Sequence, residues 1–240
     1  MTTRRAAPPL TPEPEPGSGS AAPHPLLAYL LDAADGCFPP ADGAVTVLPA
    51  LPAPSGPLEA SVAFTGHAVV ATALTAPAVH ALRPDGFGGS MSPDFLRALA
   101  GPTGWIGSID AVLVRRGAGG AARLQPLCGA DDHPRVRYAR RLRGGVRVFG
   151  DDRGLVTLAA GLAGRTELSI ELHAPDDGGR RGRGRSLLGD ALTLVQEDEP
   201  VFAAVAPGNA RSLRAFLAAG FTPVGAEVLV RAGRGRVPRA

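Results

Sequence analysis

The sequence predicts an α+β fold in which helices flank a mixed, mostly antiparallel central sheet. Three observations predict it. From about Asp131 to Arg231 the local patterns run strand, strand, strand, helix, strand, helix, strand, so antiparallel neighbours come first and strand–helix–strand crossings follow. Thr166–Leu172 alternates strictly, with Glu167, Ser169 and Glu171 on one face and Leu168, Ile170 and Leu172 on the other. A glycine-rich stretch, Gly179-Arg-Arg-Gly182-Arg-Gly184-Arg-Ser186-Leu-Leu, then divides that strand from a run of helix formers.

The elements follow in order. Residues 1–24 are rich in Pro, Ser, Gly and Ala without a period, the composition of a disordered tail. Residues 25–130 read as a first α/β unit. Leu26, Leu27, Leu30 and Leu31 fall at helical spacing within Pro25–Ala34. Ala44–Leu48 is strand-like, and Glu59–Leu74 is long enough for two paired strands turning near Thr65-Gly66. Ala76–Leu82 and Ser92–Ala100 are helical, the second with Ser92 as cap and Pro93 at the first helical position. Trp105–Val114 returns to a strand, and Gly117–Ala122 is a flexible break. Residues 131–231 read as a second unit. It has a helix over Pro134–Leu142 with an arginine-rich solvated face, strands at Val146–Phe149 and Leu155–Ala160 around the turn Asp151-Asp-Arg-Gly154, and the alternating strand Thr166–Leu172. A helix from about Gly184 to Val195, a strand at Val201–Val205, a helix at Asn209–Ala219 and a strand at Val224–Val230 complete it. Residues 232–240 are a loose basic tail.

Composition narrows the chemistry. All 25 basic side chains are arginine, since the sequence contains no lysine. That excludes a Walker A loop, a pyridoxal phosphate Schiff base and a kinase phosphate-binding lysine. The net charge is only +3, acidic residues are spread throughout and aromatics are scarce, which does not recommend nucleic-acid binding. The apolar runs are too short to span a bilayer, and no signal peptide is evident, so the expected location is the cytoplasm without membrane attachment. Cys37 and Cys128 are two isolated thiols, expected to be buried or incidental, and no metal site is expected. His67 lies in an apolar strand and reads as a satisfied core residue.

The glycine stretch has a physical use. Glycine permits a tight turn and close approach of a ligand to the backbone. The first amides of the following helix lack internal partners, and the helix dipole favours an anion beside them. A diphosphate suits such a place, and Arg180, Arg181, Arg183 and Arg185 add positive potential. The dinucleotide fingerprint is not met, because its last glycine position is Leu187. Asn209–Ala219 reads as an amphipathic helix with Asn209 as N-cap and Gly220 at its C-terminal end. It also carries Asn209-x-x-Ser212-x-x-x-Phe216-x-x-x-Gly220-Phe221 directly after a strand.

Taken together, the strand Glu167–Leu172, the turn Gly182-Arg-Gly184-Arg-Ser-Leu-Leu, the strand Val201–Val205 and the Asn209 motif resemble the GNAT superfamily of acyl-CoA N-acyltransferases. The resemblance covers about Arg137 to Arg231. It implies a GNAT-like fold, acetyl-CoA or another acyl-CoA as co-substrate, and a primary amine, most simply a small molecule, as acceptor. The chain would act as a monomer or homodimer. For the N-terminal unit it implies a degenerate, noncatalytic half of the same kind. It further implies that the backbone of Leu172, His173 and Ala174, at a splayed strand end, pairs with pantetheine. Amides of Arg181, Gly182, Arg183, Gly184, Arg185 and Ser186 would hold the diphosphate, and Asn209 and Phe216 would flank the cofactor arm.

Two departures stand out. Gly179 occupies a position where the family usually has Gln or Arg. Phe216 replaces a tyrosine that serves many members as acid for the leaving thiolate, which leaves the acid unassigned. The attacking amine must be unprotonated, so a base is needed. Strand carboxylates often take that part in the family, and Glu167 and Glu171 are the candidates. The competing reading pairs them with arginines such as Arg165. A protein that binds the cofactor without turnover is the alternative function.

Overall fold

Residues 22–173 and 182–234 are described by the computed structural model. Most of both expected tails, Ala174 and Arg181 lie outside these residues, but the inner ends of the tails are tied down. His24 Nε2 lies 2.9 Å from Pro49 O, and Gly233 N donates to Ala100 O at 2.8 Å, which corrects the reading of residues 232–234 as loose. Strands β1 (Val45–Leu48), β2 (Glu59–Phe64), β3 (His67–Ala71), β4 (Trp105–Arg116), β5 (Gln125–Pro126), β6 (Gly144–Asp151), β7 (Gly154–Ala160), β8 (Thr166–Leu172), β9 (Pro200–Val205) and β10 (Thr222–Arg231) form one sheet. Their order is β1-β3-β2-β10-β4-β9-β8-β7-β6-β5. Only β1/β3 and β8/β9 run parallel. The α+β class and the mixed, mostly antiparallel sheet are thus as the sequence predicts. The helices are α1 (Leu26–Ala34), α2 (Ala76–Ala81), α3 (Pro93–Ala100), α4 (Pro134–Leu142), α5 (Arg183–Ala191) and α6 (Ala210–Ala218). None of the described helices is long and apolar enough to cross a membrane.

Strand alternation sorts the core onto two faces. On β9, Val201, Ala203 and Val205 pack with Leu187, Leu188 and Ala191 of α5 and Phe216 of α6. Phe202, between them, packs instead with Leu26 and Leu30 of α1. Val228 and Val230 of β10 join Phe95 and Leu99 of α3 on the α5/α6 face, because Ala226, at the same parity, pairs with Ala111 beside that core. Each such Val, Leu or Phe side chain stabilises the fold by about 1.5–3 kcal/mol when fully buried.

The local signals explain the boundaries. β2 and β3 pair in antiparallel register through Phe64↔His67, and Gly66 at the turn has φ +73°, a conformation that only glycine adopts without strain. Ser92 Oγ accepts from the Phe95 amide and Pro93 opens α3. α4 buries Val136 and Ala139, leaving its arginines outward. His67 is buried between Asp42 and Thr46, at 2.9 and 3.0 Å. Its ring holds the Asp42 carboxyl below the usual range, chiefly through that hydrogen bond. Both cysteines are exposed, because each lies in a connecting segment rather than on an inward face.

One strand placement was not legible in the sequence. β4 lies between β9 and β10, pairing antiparallel with both. It comes from the residues read as the first unit, whereas β9 and β10 belong to the second. The sheet is therefore continuous across position 130/131.

Candidate functional site

β8 and β9 are paired only at Glu167↔Phe202. Beyond that point they diverge, and a cavity of about 260 Å³ occupies the gap. Ser169 and Ile170 of β8 line one side, Ala204 and Val205 of β9 the other, and Ser212 and Phe216 of α6 close one end. The parity of β8 decides which backbone groups face this gap. The His173 amide donates to Arg153 O at 3.1 Å, on the β7 side. Hydrogen-bonding direction alternates along a strand, so Glu171 and Ser169 also turn their N–H and C=O toward β7, while Leu172 and Ile170 turn theirs to the gap. This corrects the expectation for His173, whose amide is engaged with β7. It retains Leu172 and adds Ile170, whose backbone the motif did not single out.

α5 begins at one mouth of the gap. Gly182, its N-cap, has φ +91° and no side chain with which to cap. Ser186 N donates to Gly182 O at 2.9 Å, so the Ser186 amide is spent within the helix. That leaves the amides of Arg183, Gly184 and Arg185 as the first-turn donors without an intrahelical acceptor. Arg153 stands beside this turn. It donates to Ser186 Oγ at 2.6 Å and pairs with Asp151 at 2.5 Å and Asp190 at 2.6 Å, which push its pKa further up. Arg183 donates to Asp152 O at 2.7 Å. Gly184 is buried, and a Cβ there would stand 3.3 Å from Ala215 Cβ and 3.6 Å from Leu172 Cδ1. Its lack of a side chain thus sets α5 close against α6 and β8.

At α6, Asn209 Oδ1 accepts from the Ser212 amide at 3.2 Å and serves as N-cap while lining the cavity. Phe216 is buried and meets Phe221 edge-on, with ring centroids 4.9 Å apart. Ser212 lies four residues before Phe216, on the same helical face, so its side chain borders the same cavity one turn earlier.

The other end of the cavity, on the α1/α4 face, holds a cluster of charges. Arg165 is fully buried. It donates to both Glu227 oxygens at 2.7 and 2.8 Å and to Glu167 Oε2 at 3.0 and 3.2 Å. Arg143 reaches Glu167 Oε1 at 2.5 Å. Asp110 faces Glu227 directly across the β4/β10 register and accepts from Ser108 Oγ at 2.8 Å. Three carboxylates thus cluster with two guanidinium groups, and burial pushes the Glu227 carboxyl up despite its bonds to Arg165. Burial opposes ionisation throughout, but Arg143 and Arg165 hold the Glu167 carboxyl below its ordinary range. Among the described residues Asp110 has no arginine contact, and it is pushed up by burial and by the nearby Glu167 charge. Burial also pushes up Tyr138, which lines the same cavity from α4.

These contacts redistribute the expected roles. Glu167 sits beside the cavity but is paired with arginines, as the competing reading had it; a carboxylate held this way is a poor proton acceptor. Glu171 accepts from Arg135 Nε at 2.7 Å and does not line the cavity. Asp110, Tyr138 and Ser212 were not singled out as chemical groups from the sequence. Asp110 gave one local signal, a carboxylate in an otherwise uncharged strand segment, Trp105–Val114, but nothing local told that β4 would be inserted beside β9.

No family model matches the chain, and no curated protein matches it. Among solved structures, the chain is similar to a candidate acetyltransferase of the GNAT family from Novosphingobium aromaticivorans. The two are 16% identical, with a TM-score of 0.35, over 55% of this chain and 69% of that one.

Proposed function

We propose that the chain is an acyl-CoA-dependent N-acyltransferase of the GNAT type, acting on a primary amine. The observation that carries the reading is the gap between β8 and β9. It joins unpaired backbone groups of Ile170 and Leu172 and the first turn of α5, on one side, to an acceptor-side carboxylate with a raised pKa on the other. The fit to an acyl-CoA is chemical: amides for pantetheine, helix N–H groups for a diphosphate, and an uncharged floor at Phe216 for an acyl group. Acyl-CoA would supply an activated thioester carbonyl.

The chain's residues would do the rest. The carboxylate-rich end of the cavity, with Asp110 free of an arginine partner among the described residues, suits an ammonium. Asp110, in its carboxylate form and more basic than a solvated aspartate, accepts a proton from it, directly or through water. Glu167 and Arg143 hold the local field rather than carry the proton. As the amine nitrogen bonds to the acyl carbon and the carbon–sulfur bond breaks, the thiolate departs toward α6. There the Ser212 hydroxyl and the helix N-terminus stabilise its charge until it takes up, through water, the second proton that the nitrogen releases. This gives the missing tyrosine at 216 a substitute one turn earlier. Binding without turnover remains the second reading, favoured by Phe216 itself.

Isothermal titration with acetyl-CoA, followed by a thiol-release assay over a panel of amines, tests both readings. Saturable binding and amine-dependent thiol release are expected. Binding with no release from any amine would favour the second reading, and no binding at millimolar acetyl-CoA would reject both.

A further inference from the structure

A second cavity, of about 410 Å³, adjoins the first and shares Tyr138 and Leu142 with it. Its other walls are Trp105, Ser55, Arg141 and Arg231. Trp105 and Tyr138 are each 41% exposed, in a chain with few aromatics. The indole lies over the backbone of Gly107, where a Cβ would stand 3.1 Å from Trp105 Cη2. The ring therefore leans along β4 toward Asp110, and three residues of strand, roughly 10 Å, separate Gly107 from that carboxylate. Arg231 donates to the carbonyls of Ser55 and Arg141 at 2.8 and 3.1 Å. Arg141 lies 5.8 Å from the centroid of the Tyr138 ring. Among the described residues, no carboxylate pairs with either arginine.

The two cavities thus have opposite polarity. The inner one has an excess of carboxylate, the outer one two cations without acidic partners, and aromatic surface lies between them. We propose that the acceptor is a small zwitterion, a primary amine joined through an aromatic ring to a carboxylate. Its ammonium lies toward Asp110, its ring against Trp105 and Tyr138, and its carboxylate toward Arg141 and Arg231. The orientation of the amine rests on the acyl-transfer reading; the polarity and the aromatic walls do not.

Trp105 is the only tryptophan in the chain, so its fluorescence reports on this cavity alone. The full-length protein, without acyl-CoA, would be titrated with 4-(2-aminoethyl)benzoate, 2-phenylethylamine and n-butylamine. A saturable fluorescence change is expected with both aryl amines, about ten-fold tighter for the carboxylated one, and none with n-butylamine. Arg141→Gln, on an exposed part of α4, should shrink the difference between the two aryl amines, leaving only the share held by Arg231. No saturable change with 4-(2-aminoethyl)benzoate, equal affinities in the unaltered protein, or an undiminished difference in Arg141→Gln would overturn the proposal. The titration needs no turnover. Saturation without thiol release would sink acyl transfer and leave this cavity assigned, whereas thiol release without a Trp105 response would sink only the assignment.

Discussion

Asp110 and Glu167 show how two carboxylates at one cavity come to differ. Both are removed from bulk water, which raises a carboxylate's pKa, but only Glu167 has guanidinium partners, which outweigh that effect. In the proposed mechanism the base works when ionised. The rate constant kcat/KM should therefore rise with pH through the Asp110 pKa, and this limb should lie above the ordinary aspartate value of about 3.9. In Asp110→Asn the limb should vanish and kcat/KM should fall about 10²–10⁴-fold, with acetyl-CoA affinity unchanged, as measured by thiol release and calorimetry. An unaltered pH profile in that variant would remove Asp110 from the chemistry. Arg165 belongs to stability rather than turnover. Arg165→Leu leaves Glu227 without its partner and Glu167 with one, and should cost about 3–5 kcal/mol in urea unfolding. An unchanged midpoint would mean that the cluster is already compensated by other means.

Helix caps and strand faces were the elements most readable in the sequence, because their causes are local. Ser92 with Pro93, the Thr65-Gly66 turn and the Asn209 cap all depend on neighbouring residues, and each stands where the pattern put it. The alternation of Thr166–Leu172 placed Glu167 on a face, and Arg165 beside it was a legible partner, but Arg143, 24 residues earlier, was not. The same limit applies to His173: which side its amide faces is set by pairing with Arg153, not by its position in the motif. Gly182 and Gly184 drew attention as one phosphate-binding turn, yet Gly184 is required mainly by the packing of α5 on Ala215. At α6, Asn209→Ala should cost about 1 kcal/mol of stability through the lost cap, while Asn209→Asp, which keeps the acceptor, should cost little. Thermal unfolding would show this. Equal loss in both variants would mean that the amide nitrogen, rather than the cap, is what matters.

The whole sheet depends on β4 crossing from the first half of the chain into the second. No local pattern reveals such an insertion, which is why the sequence suggested two units in succession. β4 supplies Asp110, separates β9 from β10, and pairs with β10 between Trp105 and Val114 and with β9 from Ala111 to Arg116. A fragment of residues 131–240 should consequently lack a cooperative thermal transition, whereas the full chain should melt with β4 intact. A native-like melt of the fragment would show that β9 and β10 can close without it. In the proposed mechanism the space between β8 and β9 receives the thioester co-substrate through main-chain groups of β8. Amide hydrogen exchange resolved at single residues, with and without acetyl-CoA, tests it most directly. Exchange at Ile170 and Leu172 should slow at least about ten-fold on addition, while Glu171 and His173, already bonded to β7, should change little. Unchanged exchange at Ile170 and Leu172 under saturating acetyl-CoA would contradict the account.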